Sequence, residues 1–174
     1  MITLHTQEEL QAILAPAKQA QKRIGLVPTM GALHQGHLTL VSRSLEECDL
    51  TVVSIFVNPT QFNKAEDLAK YPRHLAGDVA QLSAVSKEII VFAPTAEDIY
   101  GPNISARHYD FGDLERFMEG QHRPGHFNGV ATVVSLLFDA ATPDRAYFGQ
   151  KDYQQLRIVE TLVQIVDLSI ALHS

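Results

Sequence analysis

The chain has 174 residues, 45% of them hydrophobic and 20% charged, with a formal net charge of −6. That length suits one domain or slightly more with a buried core, and the composition is that of a soluble globular protein. No apolar run approaches the roughly 20 residues of a membrane span, and the negative charge argues against non-specific nucleic-acid binding.

Taken in order, Thr6-Gln7-Glu8-Glu9 matches a capping box, and Leu10, Ile13 and Leu14 continue at helical spacing. No basic-then-apolar N-terminal segment precedes it, so no secretory signal is expected. Pro16 is expected to kink or restart that helix. Arg23 to Val27 reads as the first strand. Leu38, Val41, Leu45 and Cys48 share one helix face. Cys48, the single cysteine, therefore reads as packing rather than nucleophile. Its solitude excludes an internal disulfide and suits a reducing, cytoplasmic setting. Leu50 to Val57 is β-branched and almost wholly apolar, the pattern of a central parallel strand. Asn58 to Asn63 breaks it, either as ordinary turn chemistry or as a ligand loop at a strand's carboxyl end.

Leu75, Val79 and Leu82 mark another helix, and Ile89 to Phe92 a third strand closed by Pro94. Thr95 to Asp110 reads mostly as loop, with His108 to Phe111 as a short strand. Gly120 to His126 reads as a polar, basic loop, either a solvated turn or the lining of an anion site. Phe127, Val130, Val134, Leu137 and Phe138 give a helix face; Arg145 to Phe148 is a fourth strand, ending in the turn Gly149 to Asp152. Leu156, Val159 and Val163 give a further helix, and Ser169 to Leu172 begins another strand. This alternation predicts an α/β fold, a Rossmann-like parallel sheet with helices on both faces.

The stretch Pro28 to His37 carries the strongest chemical signal: a strand, a turn with Gly31 and Gly36, and a helix start holding His34-Gln35-Gly36-His37. A helix N-terminus has unpaired amides and partial positive charge, so the junction suits phosphate. Neither common glycine-rich nucleotide fingerprint is present. Two histidines alone would also suit zinc, but a third ligand is required; Asp78 or His74 would have to converge in space to supply it. Lys151 sits at the matching turn of a later unit, where it can meet phosphate as a point charge, and Asp152 there is also a natural helix cap. Gln61 and Gln155 offer amides suited to hydroxyls and a carboxylate.

The segments PTMGALHQGH (28–37), SIFVNPTQF (54–62), DLAKYPR (67–73), RPGHFNGVATVV (123–134) and YFGQKDYQQL (147–156) together resemble the pantothenate synthetase family. Its His-x-Gly-His element also marks the wider nucleotidyltransferases. The resemblance implies an ATP-dependent ligase with two steps. Pantoate and Mg²⁺-ATP give pantoyl adenylate and pyrophosphate; β-alanine then displaces AMP to give pantothenate. It implies ATP contacts at Met30, Gly31, Ala32, Leu33, His34, Gln35, Gly36 and His37, and at Gly149, Gln150, Lys151 and Asp152. His37 is implied as the acid group, with His34 and Lys151 beside it in catalysis. Gln61 and Gln155 are implied for pantoate, with Met30 and Phe62 nearby, while Arg123 and His126 would shape the site near β-alanine or the phosphates. A homodimer is implied; on charge, apolar-run length and the lack of a third ligand at nearby spacing, no nucleic-acid or membrane partner and no resident metal are expected.

The family's second domain and its Met-Ser-Ser-Arg-like ATP clamp have no match here. The expectation is therefore one domain over 1–174, the family's N-terminal catalytic part, with turnover less assured than binding. The rival readings are a domain that binds without turning over, a nucleotidyltransferase acting on another small acid, and a zinc hydrolase built on His34 and His37.

Overall fold

A computed structural model describes residues 1–109, 125–149, 157 and 159–160, and the backbone of 171–173. Among the described residues, six strands form one parallel sheet: β1 (Ile2–Leu4), β2 (Ile24–Thr29), β3 (Leu50–Ile55), β4 (Ile90–Phe92), β5 (Arg145–Tyr147) and β6 (Ala171–His173), in the order β1-β4-β3-β2-β5-β6. The Rossmann-like expectation thus holds.

Helices α1 (Gln7–Gln19), α2 (Gln35–Glu47), α3 (Ala65–Lys70), α4 (Leu75–Val85), α5 (Ala96–Tyr100) and α6 (His126–Ala141) fill the crossovers, with a 3₁₀ turn at Pro59–Gln61. Strand side chains alternate between two cores. Ile24, Leu26, Val52, Ile90 and Phe92 meet Leu10, Leu14, Ile99 and the α6 residues. Val27, Val53, Ile55 and Val91 meet Val41 and Leu82 on the opposite face. Burial on both faces explains the unbroken apolar runs. In α6, twelve of sixteen residues are buried, so this helix is apolar nearly all round.

Several boundaries differ from the sequence expectation. The α1 capping box forms as expected, Glu9 Oε1 accepting from the Thr6 amide and Thr6 Oγ1 from the Glu9 amide, both at 3.1 Å. Yet α1 runs through Pro16 to Gln19 without a restart. Proline withholds only its own N–H, and its carbonyl still accepts from Ala20 at 3.0 Å. Edge strand β1 is not foreshadowed by the sequence pattern, nor are the short helices α3 and α5. The expected loop after Thr95 is helical over Ala96–Tyr100, with Thr95 Oγ1 capping the Asp98 amide. His108 and Tyr109 are not in a strand; Asp110 and Phe111, which complete that expectation, lie outside the described residues. Cys48 is half-buried just past α2, its Sγ 3.6 Å from the Tyr147 hydroxyl.

The chain steps from β2 to β3 to β4, then returns to place β5 on the other side of β2. The sheet order therefore reverses between β2 and β5. In open parallel sheets, ligands bind at the strand carboxyl ends beside such a reversal.

Candidate active site

A cleft of about 340 Å³ opens at that point, lined by the end of β2 (Pro28, Thr29), by Met30, Gly31, Ala32, His34 and His37, by Gln61, and by Phe148 and Gly149 after β5. Val133, Val134 and Leu137 of α6 supply an apolar wall. A neighbouring cavity of about 440 Å³ shares Met30, Gly31 and Phe56 and extends toward Arg73, His74 and Asp78.

The turn from β2 to α2 is wound tightly. Gly31 has φ +80° and Ala32 φ +51°, two successive left-handed residues, and only the first is the glycine that such a winding favours. Thr29 Oγ1 donates to the Ser54 carbonyl at 2.8 Å and accepts the Gly31 amide at 3.2 Å. The Ala32 and Leu33 amides donate to the Asp78 carboxylate at 3.2 and 3.0 Å.

His34 is the N-cap of α2. Its Nδ1 accepts from the Gly36 amide at 3.0 Å, while the His34 amide donates to Nδ1 of His37 at 3.1 Å. The two rings form a reciprocal cap, with centroids 4.1 Å apart. A ring nitrogen that accepts has no hydrogen, so each neutral ring carries its hydrogen on Nε2. The first turn of α2 has no acidic side chain to oppose an anion.

Of the residues expected to meet nucleotide, Met30, Gly31, Ala32, His34, His37 and Gly149 share the cleft. Leu33 is buried in the core beneath α2, and Gln35 and Gly36 are exposed at the helix start. Gln150, Lys151, Asp152, Gln155 and Arg123 lie outside the described residues. Asp78 does converge on the turn, as an acceptor for its amides; His74 is the N-cap of α4 and makes no side-chain cap.

Gln61 is 7% exposed and held from several sides. Asn58, fully buried, donates through Nδ2 to Gln61 Oε1 at 2.9 Å and to the Gly129 carbonyl at 3.0 Å. This fixes the Gln61 amide with oxygen toward Asn58, leaving Nε2 as its outward donor. Asn58 Oδ1 in turn accepts from the Thr60 and Tyr100 hydroxyls. Burial raises the Tyr100 phenol above its ordinary range, so it remains a donor. His126 sits at the first turn of α6 with Nδ1 3.1 Å from the Gln61 carbonyl, and so braces the same turn. Phe62 packs edge-on against Tyr71, a lining residue, with ring centroids 5.8 Å apart.

Sequence reasoning places Asn58 in a turn or ligand loop and gives its side chain no role of its own. An asparagine directly between a buried strand and a proline, three residues before Gln61, is the available signal. Among the described residues, no group of three or more His, Cys, Asp or Glu side chains is placed to hold a metal, and no helix is long and apolar enough to cross a membrane.

The sequence model of the pantoate-beta-alanine ligase family matches residues 2–174. The chain is 56% identical over 164 residues to a pantothenate synthetase of Flavobacterium psychrophilum, covering 94% of this chain and 58% of that protein. It is 52% identical over 167 residues to one of Bacteroides thetaiotaomicron, covering 96% and 58%. The fold matches a pantothenate synthetase crystal structure from Thermus thermophilus, with a TM-score of 0.91 and 44% identity, over 100% of this chain and 61% of that one. A Francisella tularensis pantoate-beta-alanine ligase complexed with beta-gamma ATP and beta-alanine matches with a TM-score of 0.94 and 36% identity, over 100% and 66%. The chain thus spans somewhat over half the length of these curated relatives.

Proposed function

This chain belongs to the pantoate-beta-alanine ligase family, and we propose that residues 1–174 form the Rossmann-like domain that binds ATP and pantoate in such an enzyme. The observation that carries the reading is the convergence of the His34–His37 cap and the Asn58-oriented Gln61 on one cleft at the sheet reversal.

A carboxylate is a poor acyl donor until it acquires a better leaving group. In the proposed reaction, a pantoate carboxylate oxygen attacks the α-phosphorus of ATP. A P–O bond forms as the bond to pyrophosphate breaks. The amine of β-alanine then attacks the acyl carbon and expels AMP, giving pantothenate. In-line displacement at phosphorus is mainly a matter of positioning and charge stabilisation. Here the Nε2–H groups of His34 and His37 meet phosphate oxygens at the α2 N-terminus. His37 donates from Nε2, because its Nδ1 is engaged by the His34 amide. Gln61 Nε2 holds a pantoate oxygen, and the apolar α6 wall packs the substrate's carbon skeleton. Mg²⁺ enters with ATP as part of that substrate, held largely by phosphate and water. Lys151, Asp152 and Gln155 are proposed contacts on the strength of the motif alone, as are a homodimer and a cytoplasmic location.

The test is pyrophosphate release when pantoate is added to the chain with Mg²⁺-ATP. Pantoate-dependent release supports adenylate formation. Saturable binding of both ligands without release supports the rival reading, a domain that binds but does not turn over. Stronger release with another small acid would reassign the substrate.

A further inference from the structure

The turn bearing the two histidines is gripped by α4, an element the proposed chemistry does not otherwise use. Asp78, in the first turn of α4, is 3% exposed. Its Oδ2 accepts the Ala32 amide and its Oδ1 the Leu33 amide, at 3.2 and 3.0 Å. Nearly one helical turn further along, Gln81 Nε2 donates to the Leu33 carbonyl at 3.3 Å. The Ala32 and Leu33 amides of this tight turn aim at one point, a small backbone site for an anion. In this protein that site already holds an anion, the Asp78 carboxylate.

Ala32 has a Cβ, so its left-handed conformation is disfavoured unless its surroundings hold it. Asp78 does so from one side, and the burial of the Leu33 side chain from the other. His34, the next residue, is the N-cap. The point at which the Asp78 grip ends is therefore the point at which α2 begins. Both imidazoles take their orientation from amides at that point.

We propose that Asp78 is a positioning residue: its carboxylate holds the Ala32 and Leu33 amides and thereby fixes the His34 and His37 rings with Nδ1 turned inward and Nε2–H presented to the cleft. A direct consequence concerns the ligand. The Ala32 and Leu33 amides are engaged by Asp78, so an anion in the cleft meets imidazole N–H groups rather than these backbone amides.

Asp78→Asn nearly keeps the side-chain size but replaces one acceptor oxygen with an NH₂ group that faces an amide N–H. The first readout is nitrogen NMR of the histidine rings in the 174-residue chain at about pH 8, where an ordinary imidazole is neutral. The native chain should show His34 and His37 in the Nε2–H form, and Asp78→Asn a mixture of tautomers. The second readout rests on the nucleotide reading above: affinity for Mg²⁺-ATP should fall by about tenfold or more, as for the loss of a charge-assisted hydrogen bond. Pantoate affinity, which depends on the Asn58–Gln61 turn, should stay within about threefold of native, well short of that loss. Gln81→Ala removes only the third bond and should shift both readouts less, in the same direction. It becomes the deciding variant if Asp78→Asn does not fold. Native ring signatures in a folded Asp78→Asn chain, or in Gln81→Ala if that is the deciding variant, would overturn the proposal. Altered rings, with no Mg²⁺-ATP binding even by the native chain, would uphold the positioning role and refute the nucleotide reading instead.

Discussion

Gly129 of α6 packs directly against the Gln61 turn, and Gly129→Ala tests whether that contact sets substrate affinity. A Cβ at Gly129 would lie 2.4 Å from the Thr60 carbonyl oxygen, 2.7 Å from its carbon and 2.9 Å from the Gln61 nitrogen. All three are backbone atoms, so no side-chain rotation relieves the clash. Ordinary contact begins near 3.4 Å, so the turn and helix must separate by about 1 Å. Overpacking of this kind costs about 1–3 kcal/mol. The same movement pulls the Gly129 carbonyl from Asn58 Nδ2, adding about 0.5–1.5 kcal/mol. A total of about 1.5–4.5 kcal/mol should lower the thermal midpoint on the order of 10 °C in a chain of this size. An amide displaced by about 1 Å also loses its hydrogen bond to a charged substrate oxygen, so pantoate should bind about 10- to 100-fold more weakly. The assay pairs thermal denaturation with calorimetric titration of pantoate. Leu4→Ala provides the control. It opens a cavity at buried Leu4 in the edge strand β1, well away from the cleft, at about 2–5 kcal/mol, and should leave pantoate affinity unchanged. A Gly129→Ala chain with native midpoint and native pantoate affinity would refute the reasoning.

Gln61→Ala should weaken pantoate by about tenfold or more while leaving Mg²⁺-ATP nearly unaffected, read by the same titrations; equal losses for both ligands would indicate general damage. His37→Ala should slow pyrophosphate release by about 100-fold or more, and should cost about 0.5–2 kcal/mol of stability through loss of the α2 cap, measured by stopped assay and denaturant titration. Glu9→Gln should lower the thermal midpoint at neutral pH. The His5 amide first, then the Thr6 side chain, hold the Glu9 carboxyl below its ordinary value of 4.5. A depressed folded-state value stabilises the fold above the unfolded value and is lost as pH falls through the folded one. The difference between Glu9→Gln and the native chain should therefore shrink as pH falls below the ordinary value of 4.5, and a difference independent of pH would contradict this.

The parts of the fold legible in the sequence are those whose burial is written as period. The β3 and β4 runs are apolar at nearly every position because both faces of the sheet are covered, and α6 shows its face at helical spacing. Strand β1 escapes notice because three residues at a sheet edge, with Ile2 exposed, leave too short a pattern. Helix α5 is five residues long and buries only Ile99, so Pro94 and Gly101 dominate the reading. At the site, the His34-Gln35-Gly36-His37 spacing points to an anion-binding helix start, and the rings do lie there. Their reciprocal cap is not legible, because capping rules name serine, threonine, aspartate and asparagine, and imidazole Nδ1 takes that place only when the backbone brings it there. The grip of Asp78 on Ala32 and Leu33 joins positions 46 and 45 residues apart, and no local pattern encodes it.

The central claim is that pantoate and nucleotide meet in the cleft between the α2 cap and the Gln61 turn. Calorimetric titration of pantoate into the 174-residue chain, without and then with Mg²⁺-ATP, tests it most directly. The account predicts saturable, one-site binding that Gln61→Ala weakens. A folded chain that shows no saturable pantoate binding under either condition would contradict it.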